Sequence, residues 1–280
     1  MRKFLLAALS VSVVMFSACS STGPTPNDKT GLEGTKVNTY YVGEYIDKKS
    51  AEQKLKDAGF EIVANYASVK KGTTIVYTDA SLKAEGAKPG RSNAAVMRLF
   101  VDDQEKMISF TNPVYFGKAF MQDEYNHAVF NGVLEKINAA FPGLKPSADV
   151  WDFDGLADYH FMISMPYYKD VDVVGEGTNE ELLAKARAKK KDLIFELKLS
   201  DNTTLLGYAL GSRTSKFVKK IGRANAAILP WCVTIENSKA TALSAKYYIA
   251  ISYPLLDMNG FMGIMTVPGA VVKDLEKVFK

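Results

Sequence analysis

Two rhythms of apolar side chains run through this chain. In KVNTYYVGEYI (36–46), FEIVANYASV (60–69), TTIVYT (73–78) and NAAVMRLFV (93–101), apolar residues alternate with polar ones or form short unbroken blocks, the pattern of strands burying one face or both. KSAEQKLKDAG (49–59) and FNGVLEKINAAF (130–141) space their apolar positions three and four apart, as helices do. The same order returns further on. DYHFMISMPYY (158–168) reads as an opening strand and TNEELLAKARAKKK (178–191) as a helix with Thr178 and Asn179 as caps. DLIFELKL (192–199), TTLLGYAL (203–210), NAAILPWCVTI (225–235) and KYYIAISYP (246–254) read as strands. PGAVVKDLEKVF (268–279) reads as a closing helix begun at Pro268. Strands cluster without strict alternation with helices, which predicts an α+β fold with antiparallel-rich sheets.

The second series copies the first in detail. GRSNAAV (90–96) returns as GRANAAI (222–228), an offset of 132, and Thr73–Val76 answers Thr203–Leu206 at 130. Pro113 with Phe120-Met121 is matched to Pro254 with Phe261-Met262, and Leu134–Ile137 to Leu275–Val278, both at 141. Ordered echoes at near-constant offset predict a tandem duplication, with a nine-residue insertion between Arg223 and Pro254. The expected organisation is a first α+β repeat over 37–145, a linker over 146–157 punctuated by Pro146 and Gly155, and a second repeat over 158–280.

The second copy resembles a known family. Its Leu206-Gly207, Leu229-Pro230, Cys232, Val233, Glu236 and Pro254 fall where the bacterial domain-of-unknown-function family numbered 302 has a strand ending in Gly, an LPC-like strand running on to a Glu, and a closing Pro. Tyr208-Ala209 replaces the family's Asn-Pro, Trp231 separates Pro230 from Cys232, and the first copy has Met97-Arg98-Leu99 where LPC would stand. The resemblance implies compact TATA-binding-protein-like domains, each with helices on one face of its sheet, and a tandem copy forming a pseudo-dimer within one chain. It implies no established activity.

The N-terminus adds an address. Arg2 and Lys3 precede the apolar run FLLAALSVSVVMFSA, so residues 1–18 read as a signal peptide; Ser17-Ala18 before Cys19 resemble the lipobox of bacterial lipoproteins, which implies that Cys19 is the lipidation site. The same resemblance, with Ser20 where an Asp would retain a lipoprotein in the inner membrane, implies the outer membrane, facing the periplasm. The polar, Gly- and Pro-containing stretch 19–36 reads as a lipidated flexible tether. Without the signal the chain carries 33 basic and 31 acidic side chains, a near balance that gives no case for nucleic-acid binding.

Candidate chemistry is sparse. His127 and His160 occupy unmatched positions and predict no metal site; Asp149, Asp152, Asp154 and Asp158 lack calcium-loop spacing; no cofactor is expected. Cys232 in its apolar run reads as a buried thiol, with a nucleophilic role only if exposed beside a histidine. Paired tyrosines (Tyr40-Tyr41, Tyr167-Tyr168, Tyr247-Tyr248) are expected in strands, one ring of each on either face. Arg91, Asn93, Arg223 and Asn225 are the polar pair kept in both copies, and read either as anion-binding residues or as turn-forming ones beside close-packed alanines. The expected function is non-enzymatic: binding of a small molecule or an envelope partner, at a membrane reached through Cys19. The alternatives are a structural envelope protein without a pocket, or an enzyme using Cys232 or a histidine.

Overall fold

A computed structural model describes residues 30–280; the signal peptide and Cys19 lie outside the described residues. The first strands are β1 (Lys36–Asn38) and β2 (Tyr40–Glu44), followed by α1 (Lys48–Asp57), β3 (Glu61–Val69), β4 (Gly72–Thr78) and α2 (Ala80–Gly86). Next come a 3-10 turn (Ser92–Ala95), β5 (Met97–Asp102), β6 (Met107–Thr111), α3 (Pro113–Met121), α4 (His127–Ala140), and the short strands β7 (Lys145–Pro146) and β8 (Val150–Asp152). The second series holds β9 (Asp172–Glu176), α5 (Asn179–Ala188), β10 (Leu193–Lys198), β11 (Thr203–Tyr208), α6 (Phe217–Ile221) and a longer 3-10 turn (Arg223–Ile228). It closes with β12 (Trp231–Glu236), β13 (Lys239–Ala242), α7 (Ala245–Ser252), α8 (Met258–Met262) and α9 (Val267–Phe279).

This is an α+β protein with several antiparallel sheets. One sheet runs β3-β4-β5-β6-β2-β7, another β10-β11-β12-β13-β9, and β1 pairs with β8 in a third. Counted from β2 and from β9, the two large sheets share one strand order, 2-3-4-5-1. One face of each sheet packs on its own helices. Tyr77 and Phe110 meet Phe60 and Phe141 edge-on in the first, and Tyr208 meets Phe279 of α9 in the second. The opposite faces meet one another. Val76, Ala95 and Val96 from the first series join Phe195, Leu197, Leu205 and Cys232 from the second in one buried cluster.

Local chemistry explains the element ends. Thr178 accepts from the Glu181 backbone NH at 3.2 Å while Glu181 accepts from the Thr178 NH at 2.9 Å, closing the expected cap of α5 on both sides. Pro268 stands in the first turn of α9, as expected. Two expectations fail. Residues 158–168 form turns and no strand; the strand equivalent to β2 is β9, marked by Val174-Gly175-Glu176 repeating Val42-Gly43-Glu44 at an offset of 132. KYYIAIS is the helix α7: seven of its eight residues are buried, so the apolar run shows no face and its period cannot choose strand over helix. α7 therefore answers α3 at 132, Pro254 is not the counterpart of Pro113, and the extra residues lie beyond Ser252, between α7 and α9.

Candidate functional site

Each repeated Gly-Arg turn begins at a glycine with positive φ, 70° at Gly90 and 137° at Gly222, a backbone region that side chains with a Cβ rarely adopt. The glycine, and not the asparagine, fills the special position; Asn225 has φ −97°. The alanines that follow are buried, and a Cβ on Gly86 would fall 2.4 Å from that of Ala95, so α2 closes directly on the turn.

Both turns reach across to the other series. Arg223 grips Asp102, the last residue of β5, with Nε at 2.7 Å and Nη2 at 2.6 Å, and Nη2 also donates to the carbonyls of Lys70 and Lys71 at 3.3 Å. In the corresponding place Glu236, the last residue of β12, accepts from the Gly90 NH at 3.0 Å, and Ser92 shares a hydrogen bond with Thr234 at 2.5 Å. α3 and α7 exchange bonds in the same reciprocal manner: Tyr115 donates to the Ile251 carbonyl at 3.0 Å and Tyr247 to the Ala119 carbonyl at 3.3 Å.

The four repeated polar residues do not share one groove. Arg223 is committed to Asp102. Asn225 donates to Asp149 at 2.9 Å and to the Ser252 carbonyl at 3.0 Å, beside a cavity of about 310 Å³ lined also by Tyr253, Leu255 and Asp257. Arg91 and Asn93 line a larger cavity, about 490 Å³, bounded across the two series by Tyr168, Lys169, Thr234, Glu236, Lys239 and Thr241. Arg91 bonds Glu124 at 3.2 Å and lies over the Tyr168 ring, 5.7 Å from its centre. Burial pushes the Tyr168 hydroxyl up to about 12 against the pull of Arg91, so it stays protonated and donates to the Gly90 carbonyl at 2.9 Å. Three cations thus border this cavity. Its one lining carboxylate, Glu236, already holds the Gly90 NH and the Thr203 hydroxyl.

Sequence reasoning singled out Tyr168 only as one ring of a strand pair, and missed Lys169, Lys239 and Arg98 as site residues. Arg98 is buried, donates to the carbonyls of Ile228 and Pro230 and to Cys232 Sγ at 3.0 Å, and pairs with the Tyr248 hydroxyl. The signal for Arg98 was a charged residue within an otherwise apolar strand block; that for the lysines was absent, because a turn brings in Lys169 and the β12–β13 hairpin brings in Lys239. Burial pushes the Cys232 thiol up, against the pull of Arg98. His127 bonds the Tyr125 hydroxyl at 3.0 Å and His160 the Asp158 carbonyl at 3.2 Å, so no histidine pairs with Cys232. Among the paired tyrosines only Tyr40-Tyr41 lies in a strand; Tyr167-Tyr168 sits in a turn and Tyr247-Tyr248 in α7, both rings of the latter buried.

The chain thus falls in the class of α+β proteins with paired antiparallel sheets and a polar, cation-bordered cavity between them. No family model, curated protein or solved structure matches it.

Proposed function

We propose that this chain is a lipid-anchored envelope protein that binds a small anionic molecule, without chemistry, in the cavity between the turn at 90–93 and the β12–β13 hairpin. Its two series are copies of one TATA-binding-protein-like unit, joined as an intramolecular pseudo-dimer, and the cavity exists only where they meet. The observation that carries the reading is the cavity of about 490 Å³ bordered by Arg91, Lys169 and Lys239, with hydroxyls of Ser92, Thr234 and Thr241 in the same wall. A volume of that order suits a small metabolite, and guanidinium and ammonium groups beside hydroxyls favour carboxylate or phosphate. The shared strand order and the reciprocal tyrosine bonds support the duplication, and the signal sequence ending at Cys19 supports the anchor.

Thermal unfolding of the soluble chain tests the site, with citrate and inorganic phosphate as anionic probes and glucose as the neutral one, at fixed ionic strength. A ligand bound only by the folded state raises the melting temperature. The expected result is a saturable rise with an anionic probe that Arg91→Ala removes. An equal response to all three probes, or one unchanged in Arg91→Ala, contradicts the assignment.

A further inference from the structure

Between α7 and α9 the chain takes fourteen residues, 253–266, where the link between α3 and α4 takes five, 122–126. The added chain sends Tyr253, Phe261 and Ile264 into the core and leaves much of its remaining apolar surface outside. Leu255, Met258, Met262 and Met265 stand exposed, Leu255 and Met265 each at 63%. Met258 and Met262, four residues apart, share one face of α8, with exposed Leu255 before the helix and Met265 after it. Phe161 stacks on Phe261 with ring centres 5.0 Å apart, which brings exposed Met162 and Ile163 (87%) to the same region. Apolar side chains gathered in this way, unlike scattered ones, mark a contact surface. Lys220 Nζ donates to the Gly263 carbonyl at 3.5 Å, and Lys216 and Lys219 are exposed on the same short segment at α6, while exposed Asp158 precedes Phe161. The acid of the excursion, Asp257, is occupied in capping α8, accepting from the Gly260 NH at 2.7 Å.

We propose that this face docks on a lipid leaflet, the one that holds the chain's own acyl anchor; the inference rests on the reading of Cys19. The chain enters the fold nearby, for the Gly34 NH donates to Asp154 Oδ2 at 2.8 Å, and six residues separate Asp154 from Phe161. The stretch 20–33 spans at most about 50 Å when extended, so the anchor can reach the same bilayer that the face touches. Leu, Ile and Met side chains enter the boundary between headgroups and acyl chains, while Lys216, Lys219 and Lys220 meet anionic phosphates. The docked face fixes the orientation of the protein on the leaflet.

Flotation of the chain lacking only its first nineteen residues, on vesicles of phosphatidylethanolamine and phosphatidylglycerol, tests the face without the acyl chain. The expected result is flotation that weakens in high salt and falls at least tenfold in Met258→Gln/Met262→Gln, whose melting temperature stays at the parent value because both side chains are exposed. No flotation of the parent, flotation unchanged in the double variant, or a parent dimer that the double variant dissolves in light scattering would each overturn the proposal. The anchor is checked separately, by the mass of the Cys19 peptide from host membranes. An unmodified Cys19 overturns the anchor, and flotation is read independently of it.

Discussion

Asp102 is fully buried at the end of β5, and burial alone would raise its pKa. The Arg223 guanidinium and the backbone NH groups of Glu105 and Gln104 outweigh that cost and hold the carboxyl below its usual range. A depressed folded-state pKa stabilises the fold above the unfolded value, near 3.9, and the gain is lost as pH falls through the lower folded value. Arg223→Met strands the carboxylate, at a cost of about 3 kcal/mol near neutral pH. Urea unfolding between pH 7 and pH 4 checks this. The gap between variant and parent should narrow on acidification, because the unpaired, buried Asp102 takes up a proton more readily. A gap that stays constant would mean that the ion pair is not its source.

At the scale of elements, α2 ends where it does because Gly86 lets the Ala95 backbone approach; a Cβ there would lie 2.8 Å from Ala95 Cα. Gly86→Ala has no flexible neighbour to displace and is expected to cost about 1–3 kcal/mol, read as a lower urea midpoint with an unchanged slope. Much of this level was legible in the chain. The strand-helix-strand-strand order, the Thr178 cap and Pro268 in the first turn of α9 follow from local rules that the folded protein obeys. α7 was not legible, since tertiary burial on all sides erased its amphipathic face and left β-branched residues and tyrosines that suggest a strand. The opening strand of the second series was placed wrongly for a different reason: an apolar stretch at 158–168 outweighed the three-letter echo Val-Gly-Glu that marks β9. Reading α7 as a strand put the nine extra residues between Arg223 and Pro254; matching α7 to α3 puts them after Ser252. At the site, the repeat pointed to Arg91 and Asn93 but equally to Arg223 and Asn225, which the fold uses to hold Asp102 and Asp149. The distinction depends on which turn faces a hairpin carrying Lys239, and no local pattern encodes that.

For the whole molecule, the meeting of the two series is the organising fact. Arg98 and Cys232, Arg223 and Asp102, Gly90 and Glu236, and the crossed tyrosines of α3 and α7 all bond across it. The excursion after α7 breaks this symmetry and carries the exposed methionines, and the larger cavity draws its wall from both sides. That cavity and its occupant are the centre of the account, and native mass spectrometry of the mature chain, purified gently from its own host, addresses them most directly. The account predicts a reproducible mass excess of one small anionic molecule per chain, lost in Lys239→Glu. A bare chain, or an excess that Lys239→Glu retains, would contradict it.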